Sequence, residues 1–251
     1  MRYFLYFAYN GTGFHGWQKQ PNAVSVQEVM ENALSVVLRS ETSLTAAGRT
    51  DAGVHAAFMV AHFDTITPIS DKLRFCFRMN SILPPAIAVS DLRRVSPSAH
   101  ARFDAVSRKY EYRTTMQKDP FCYNLTTPLP KNLDFSLMNR AAERLLTQTD
   151  FASFCKVHTD VKTTVCHLTE ARWVQTDGQW VFHIRADRFL RNMVRAIVGT
   201  LFDVGAGRTS LADLENILSA ARRTAAGMSV PAQGLFLVDV AYPDSVFRIE
   251  G

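Results

Sequence analysis

Hydrophobic and polar positions along the chain follow two patterns, one typical of strands and one typical of helices. The first segment, RYFLYFAY, is rich in aromatic residues and predicts a strand. Ser25 and Glu28 then form a capping-box pattern, which predicts the start of a helix. Apolar residues recur behind it at helical spacing, at Val26, Val29, Met30, Ala33, Leu34 and Val37. The chain therefore opens with a strand and an amphipathic helix.

The next part of the chain continues this alternation. One strand leads into the segment AAGRTDAGVHA, and the segment GVHAAFMVAHFDT leaves it as another strand. A second helix is predicted over Asp71–Leu83, because Pro84 and Pro85 follow it and proline disfavours helix in the residue before it. AIAVSDLRRV then predicts a strand, which completes the order β-α-β-β-α-β.

The same order of elements recurs in the second half. AVSRKYEYRTTM predicts a strand and FSLMNRAAERLLT an amphipathic helix. The strands CHLTEARWVQ and QWVFHIRAD follow, with Asp177 and Gly178 near their junction as a hairpin-turn signal. Two predicted helices, FLRNMVRAIVGTLFDVG and LADLENILSAARR, precede a last strand, GLFLVDVAY. Each half therefore predicts the split β-α-β-β-α-β unit of ferredoxin-like proteins.

These elements predict an α+β protein built from two ferredoxin-like halves, residues 1–104 and residues 105–251. No Gly/Ser-rich or charged linker separates the halves, so we expect them to pack firmly. Their sheets are expected to join into one extended, mainly antiparallel sheet with a central cleft between the halves.

Composition narrows the class of protein only slightly. The formal net charge is +5 and the sequence pI is about 9.1, which suits nucleic acid but also many basic enzymes. The four cysteines form no C-x-x-C pair and the N-terminus does not resemble a signal peptide, so we expect reduced thiols in a cytoplasmic protein. No apolar run is long enough to span a bilayer, and we expect no membrane association.

No motif in the sequence predicts a cofactor or a metal. Cys155, His158, Cys166 and His167 lie close together in sequence, but their spacing matches no standard zinc site. The sequence contains no phosphate-binding loop, no nucleophile elbow and no H-E-x-x-H motif.

The segment GRTDAGVH places Arg49, Asp51 and His55 around two glycines, between short apolar runs. Glycines allow unusual backbone angles or a close approach to the main chain, and connecting turns often display functional side chains. The alternative is structural, because an aspartate beside a glycine commonly binds the amides of its own turn. The density of polar residues favours a functional turn.

Tyr110 and Tyr112 lie two residues apart on a predicted strand and therefore face the same side. They fit either ordinary core packing or a cross-strand aromatic pair. Arg108, Lys109 and Arg113 lie between and beside them, and an aromatic face with cations around it also suits unstacked bases and phosphates.

Arg188, Arg191 and Arg195 recur at intervals of three and four within DRFLRNMVRAIVG, which predicts one face of a helix. Arg188 and Arg191 fit an exposed basic stripe. Arg195 lies between Val194 and Ala196 in a more apolar part, so we expect it to be partly buried and paired with a carboxylate. Asp51 is a candidate for that partner.

Several segments together resemble the A family of tRNA pseudouridine synthases, and GRTDAGVH matches that family's catalytic signature. Further matches occur in order along the chain: YNGTGFHGWQKQP with SVQEVMENAL, HARFDAVSRKYEYR, DFASF, FLRNMVRAIVGTL and AQGLFLVDVAYP. The resemblance implies the pseudouridine synthase fold and an isomerase that needs no cofactor or metal. In that reaction the bond from the ribose to N1 of uridine breaks, the uracil rotates, and a bond to C5 forms.

The resemblance also implies a role for individual residues. Asp51 is the catalytic aspartate, and Arg195 pairs with it and keeps its carboxylate charged and oriented. Tyr110 stacks on the target uracil and takes part in proton transfer at C5. Leu235 packs against the other side of the base, and Arg49 enters the base stack and helps to extrude the nucleotide.

The implied substrate is the tRNA anticodon stem-loop at positions 38, 39 and 40. Arg188, Arg191 and other basic side chains are expected to hold the tRNA backbone, which makes binding salt-dependent. The family also implies a homodimer whose two subunits both contact tRNA.

Two other classes of protein compete with this interpretation. A non-catalytic RNA-binding module would keep the basic aromatic strand but would have no need of Asp51. A hydrolase using Asp51 would need a second acid or base, and His55 is the candidate near it in sequence.

Overall fold

The computed structural model describes residues 1–156 and 162–248. Within these residues the chain forms nine β-strands and five α-helices, and the strands pair mainly antiparallel. The strands are β1 (Arg2–Tyr9), β2 (Thr45–Ala46), β3 (His55–Asp64), β4 (Ile87–Val95), β5 (Ser107–Thr115), β6 (Thr127–Pro128), β7 (Leu168–Thr176), β8 (Gln179–Ala186) and β9 (Leu235–Ala241). The helices are α1 (Val26–Leu38), α2 (Lys72–Ile82), α3 (Phe135–Leu146), α4 (Met193–Gly205) and α5 (Leu211–Ser219). The predicted α+β class is confirmed.

The chain divides into two compact units. The first unit contains Met1–Ser107 and the chain from Leu237 onward, and the second contains Arg108–Phe236. The sequence predicts a boundary after residue 104 with the C-terminal end in the second half, whereas the structure places that end in the first unit. Two contacts explain this: the Tyr242 hydroxyl donates to the Ala101 carbonyl, and the Tyr242 ring packs 4.9 Å from that of Phe4.

In the first unit, β1 lies between β4 and β3, and the short β2 pairs with β3. Helix α1 begins as predicted, because the Ser25 side chain accepts a hydrogen bond from the Glu28 backbone. Its predicted apolar face is buried, except that Val29 is only partly covered. Helix α2 covers the same sheet through Phe75, whose ring stacks on that of Phe63 in β3.

In the second unit, β8 lies between β5 and β7, and the short β6 pairs with β5 in parallel. Asp177 and Gly178 form the predicted two-residue turn between β7 and β8, with φ of +50° and +75°. Positive angles at both positions suit the right-handed twist of a hairpin, so this prediction is confirmed. Helix α4 is buried along most of its length and packs Phe202 against Trp173 of β7.

The start of α4 differs from the prediction. The apolar pattern predicts a helix from Phe189, but α4 begins at Met193. Asn192 immediately before it has a left-handed φ of +65°, which interrupts helical geometry. The prediction that Arg188, Arg191 and Arg195 share one helical face is therefore wrong, because the first two lie in the connection from β8.

Candidate active site

The GRTDAGVH segment forms the turn between β2 and β3 in the first unit. Arg49 is exposed, Thr50 is buried, and Asp51 is partly buried. The Thr50 hydroxyl lies 2.8 Å from the hydroxyl of Tyr9, a buried residue of β1. A buried threonine therefore anchors the turn between its two charged residues.

A second loop, residues 10–17, holds this turn through the main chain. The Trp17 N–H donates to the Thr50 carbonyl at 3.2 Å, and the Gly53 N–H donates to the Phe14 carbonyl at 3.3 Å. Trp17 is itself only 3% exposed, which fixes the loop to the core. These bonds hold the turn on both sides of Asp51, so the carboxylate is carried by a rigid scaffold.

His55 supports the same turn. Its side chain is 1% exposed, and its Nδ1 atom accepts a hydrogen bond from the Gly11 N–H at 3.0 Å. Nδ1 therefore acts as an acceptor, and through this bond the ring helps to hold the residue 10–17 loop. A buried histidine in this role does not suit the acid–base partner that the hydrolase interpretation requires.

Two glycines allow the loop and the turn to approach closely. Gly16 has a φ of +90°, and a Cβ atom there would lie 2.5 Å from the Thr50 carbonyl oxygen and 3.1 Å from the carbonyl carbon of Asp51. A Cβ atom on Gly11 would collide with the Val54 carbonyl group. The closely spaced glycines of NGTGFHG are the sequence signal for this packing, but their partner is distant along the chain.

We expect Gly16→Ala to destabilise the protein by about 1–3 kcal/mol and to impair turnover, because both the left-handed backbone and the collision with the Thr50–Asp51 backbone oppose it. Urea unfolding and turnover measure the two effects. Gly178→Ala is the matched control, since Gly178 has a φ of +75° but open space around its missing side chain. Equal activity losses in the two variants would contradict the proposed support of Asp51 by Gly16.

Tyr110 and Tyr112 lie on one face of β5 in the second unit, as predicted. The ring of Tyr110, 8% exposed, packs edge-to-face on Phe189 with 5.1 Å between centroids. The Tyr112 hydroxyl is fully buried, 2.8 Å from Thr127 Oγ1 and 3.0 Å from the Pro231 carbonyl. Burial raises the pKa of Tyr112. Tyr112 is therefore a core residue.

Arg195 and Leu235 also belong to the second unit. Arg195, in the first turn of α4, is partly buried as expected. Its Nε atom donates to the Val230 carbonyl at 2.8 Å, and its own carbonyl accepts from the Val230 N–H at 3.2 Å. The guanidinium is thus oriented by the segment that leads into β9. Leu235 is the first residue of β9 and is 6% exposed.

Arg188 and Arg191 lie in the β8–α4 connection. Arg188 is partly buried, and its guanidinium donates to the Thr163 carbonyl at 3.2 Å, whereas Arg191 is exposed. Asp187 organises this connection, because its carboxylate accepts from the backbone N–H groups of His167 and Arg188 at 2.9 and 2.7 Å. Burial alone would raise the pKa of Asp187. The two backbone hydrogen bonds and the His167 ring outweigh burial and lower that pKa.

The described residues contain no cluster of three or more His, Cys, Asp or Glu side chains arranged to bind a metal ion. His158 lies outside the described residues. Within the same described ranges, no helix is long and apolar enough to cross a membrane.

The α+β architecture with its mostly antiparallel sheet is consistent with the pseudouridine synthase fold. A family described as tRNA pseudouridine synthase matches residues 141–243. Curated relatives named tRNA pseudouridine synthase A match almost the whole chain. The protein from Parabacteroides distasonis is 53% identical over 249 residues, 99% of each chain. That from Bacteroides thetaiotaomicron is 50% identical over 252 residues, 99% of this chain and 93% of its own. That from Bacillus pumilus is 38% identical over 240 residues, 94% of this chain and 96% of its own.

The chain belongs to the tRNA pseudouridine synthase family. It is therefore an isomerase that converts uridine to pseudouridine in tRNA, which confirms the function predicted from its sequence. The competing interpretation as a non-catalytic RNA-binding module is not supported.

Proposed function

We propose that this isomerase converts uridines 38, 39 and 40 of the tRNA anticodon stem-loop, with Asp51 as its catalytic carboxylate. The observation that carries the proposal is the Asp51 turn, held by the buried Thr50 and by main-chain bonds to the residue 10–17 loop. A turn whose backbone is held in this way loses little conformational entropy when its charged side chain meets the substrate. The working form is a cytoplasmic homodimer, as the family resemblance implies.

The reaction requires little of the protein besides positioning. The bond between the ribose and N1 of uracil breaks, the base turns, and the ribose bonds to C5. C5 then loses its hydrogen and N1 gains one, so the product has the same composition as the substrate. A single ionised carboxylate beside a flipped nucleotide suffices, and no external reactant is consumed.

Three residues of the second unit act on the same flipped nucleotide as Asp51. Tyr110 stacks on the uracil and assists the proton transfer at C5, and Leu235 supports the other side of the base. Arg195 pairs with Asp51, and its bond to the Val230 carbonyl supports this role because it orients the guanidinium. Arg49 is exposed, two residues before Asp51 along the chain, and enters the base stack vacated by the nucleotide.

Arg188 and Arg191 bind the tRNA backbone. Arg191 is exposed, and Arg188 is already oriented by its bond to Thr163, which suits contacts to phosphate rather than to the reacting base. Each phosphate contact releases counterions, so affinity falls as salt rises.

The choice of uridines is tested with unmodified tRNAs that carry a single uridine at position 38, 39 or 40 and cytidine at the other two. We expect pseudouridine at each single uridine and none in a matched tRNA with cytidine at all three positions. Mapping of modified positions in the product tRNA measures this. Pseudouridine at some other position of the all-cytidine tRNA would contradict the proposed site of action.

A further inference from the structure

An exposed aromatic ring lies at the end of the first unit, in the loop His100–Asp104 between β4 and β5. Phe103 is 73% exposed. Its ring packs against that of His100, with 4.2 Å between centroids and 30° between planes, and the Arg102 guanidinium lies 5.7 Å from its centroid. His100 packs in turn on His62 of β3, with 4.6 Å between centroids. Phe103 is thus the outermost of three packed rings, and the innermost, His62, belongs to β3.

Backbone bonds to the two imidazoles fix this loop. His62 Nδ1 accepts from the Ala101 N–H at 3.1 Å. His100 Nδ1 accepts from the N–H groups of Arg102 and Phe103 at 3.1 and 3.2 Å, and the His100 N–H donates to the Asp104 carboxylate at 2.7 Å. Every backbone N–H from His100 to Phe103 therefore has a partner, so the exposure of Phe103 is built into the fold.

The packing of these three rings persists at physiological pH. Both Nδ1 atoms act as acceptors, which requires them to be unprotonated. Burial lowers the pKa of His62 to about 4, and it also lowers the pKa of His100. Both rings therefore stay neutral at neutral pH, and no charge on the imidazoles opposes the cation beside Phe103.

This loop is distant from the candidate active site. His62 lies seven residues along β3 from His55, which directly follows the Asp51 turn. At the usual rise of a strand, that separation is about 23 Å. A nucleotide that meets Phe103 is accordingly a different nucleotide from the one that reaches Asp51.

An exposed, rigid aromatic ring beside a guanidinium matches the chemistry of a single-stranded nucleotide, because the ring stacks on the base and the cation attracts the phosphate. We propose that Phe103, with His100 and Arg102, forms a stacking site for an unpaired base of tRNA outside the target uridine. The proposal rests on the proposed function for the choice of tRNA as the ligand. The site contributes to binding of the substrate, and the chemical step does not depend on it.

Replacing Phe103 tests the site by affinity. We expect Phe103→Ala to weaken tRNA binding by about 5- to 150-fold, the usual range for loss of one stacked base, and Phe103→Trp to retain it. The single-turnover rate at saturating tRNA stays that of the wild type in both variants. Phe77→Ala is the matched control, because Phe77 is 72% exposed. Phe77 lies on α2, and α2 packs on the face of the sheet opposite to the face that carries His62. An unchanged affinity in Phe103→Ala, or an equal loss in Phe77→Ala, would overturn the proposal.

Photocrosslinking identifies what covers the ring. With p-benzoylphenylalanine in place of Phe103, we expect a crosslink to one unpaired nucleotide of tRNA, which sequencing of the adduct locates. A crosslink only between two protein chains would overturn the stacking site and assign Phe103 to a contact between subunits. Pseudouridine formation by the wild type separates the stacking site from the proposed modification of uridines 38–40. If the wild type modifies these positions but Phe103→Ala binds tRNA normally, only the stacking site fails.

Discussion

Asp51→Asn is expected to lower the rate of uridine isomerisation by at least about a thousandfold, since the carboxamide has nearly the shape of the carboxylate but serves neither as a nucleophile nor as a base. Folding should be retained, because the turn is held by Thr50, the Trp17 and Gly53 N–H groups, and His55, and these groups do not change. Single-turnover pseudouridine formation measures the rate, and tRNA binding and urea unfolding measure what is retained.

Asp71→Asn provides the control for the loss of one negative charge from the first unit. Asp71 caps α2 by accepting from the Arg74 N–H at 2.9 Å, and asparagine caps helices about as well. We expect full activity in this variant. A turnover above a few per cent of the wild type in Asp51→Asn would remove Asp51 from its catalytic role.

Arg195→Met is expected to abolish turnover and to lower the free energy of unfolding by about 3 kcal/mol, the lower end for deletion of one partner from a buried pair. The Val230 carbonyl loses its donor, and the proposed partner Asp51 loses its cation. Arg195→Lys keeps the charge without the planar fork, so it should be more stable than Arg195→Met and still fail in catalysis. Urea unfolding and single-turnover kinetics separate these two effects.

Arg208→Met is the control for removal of an arginine near α4. Arg208, which is exposed, pairs with Asp203 near the C-terminal end of α4, and ion pairs at the surface contribute little to stability. This variant should unfold and turn over like the wild type. If Arg195→Lys kept wild-type turnover, a planar guanidinium at this position would be unnecessary and the proposed pairing with Asp51 would be contradicted.

Local signals account for the parts of the fold that the sequence predicts well. The Ser25 cap and the apolar spacing behind it determine α1 within neighbouring residues, and Asp177–Gly178 supplies both positive φ angles of its hairpin. Each of these features is complete within a few residues of sequence, so no distant contact is needed to recognise it.

Features that depend on distant contacts could not be predicted in the same way. The apolar residues before α4 continue a helical pattern. In the structure, however, Phe189 packs on Tyr110, and Asn192 has a left-handed φ that ends this pattern before Met193. The C-terminal segment joins the first unit through contacts such as that of Tyr242 with Ala101, which no periodicity reveals.

In the candidate site, too, some features follow from local sequence and others depend on contacts between distant segments. The turn with Asp51 is recognisable from its residues, and so is its resemblance to a catalytic signature. The bond between Tyr9 and Thr50 and the close approach of Gly16 to that turn link segments far apart in sequence, and only the folded chain brings them together.

Release of tritium from tRNA labelled at C5 of uridine tests the central claim most directly, because only replacement of the C5 hydrogen by the ribose converts uridine to pseudouridine. We predict that the wild-type protein releases one tritium for each pseudouridine formed, leaves the tRNA chain intact and yields no free uracil, and that Asp51→Asn releases none. Binding of tRNA by the wild type without tritium release, or the appearance of free uracil or a cut chain, would contradict the account.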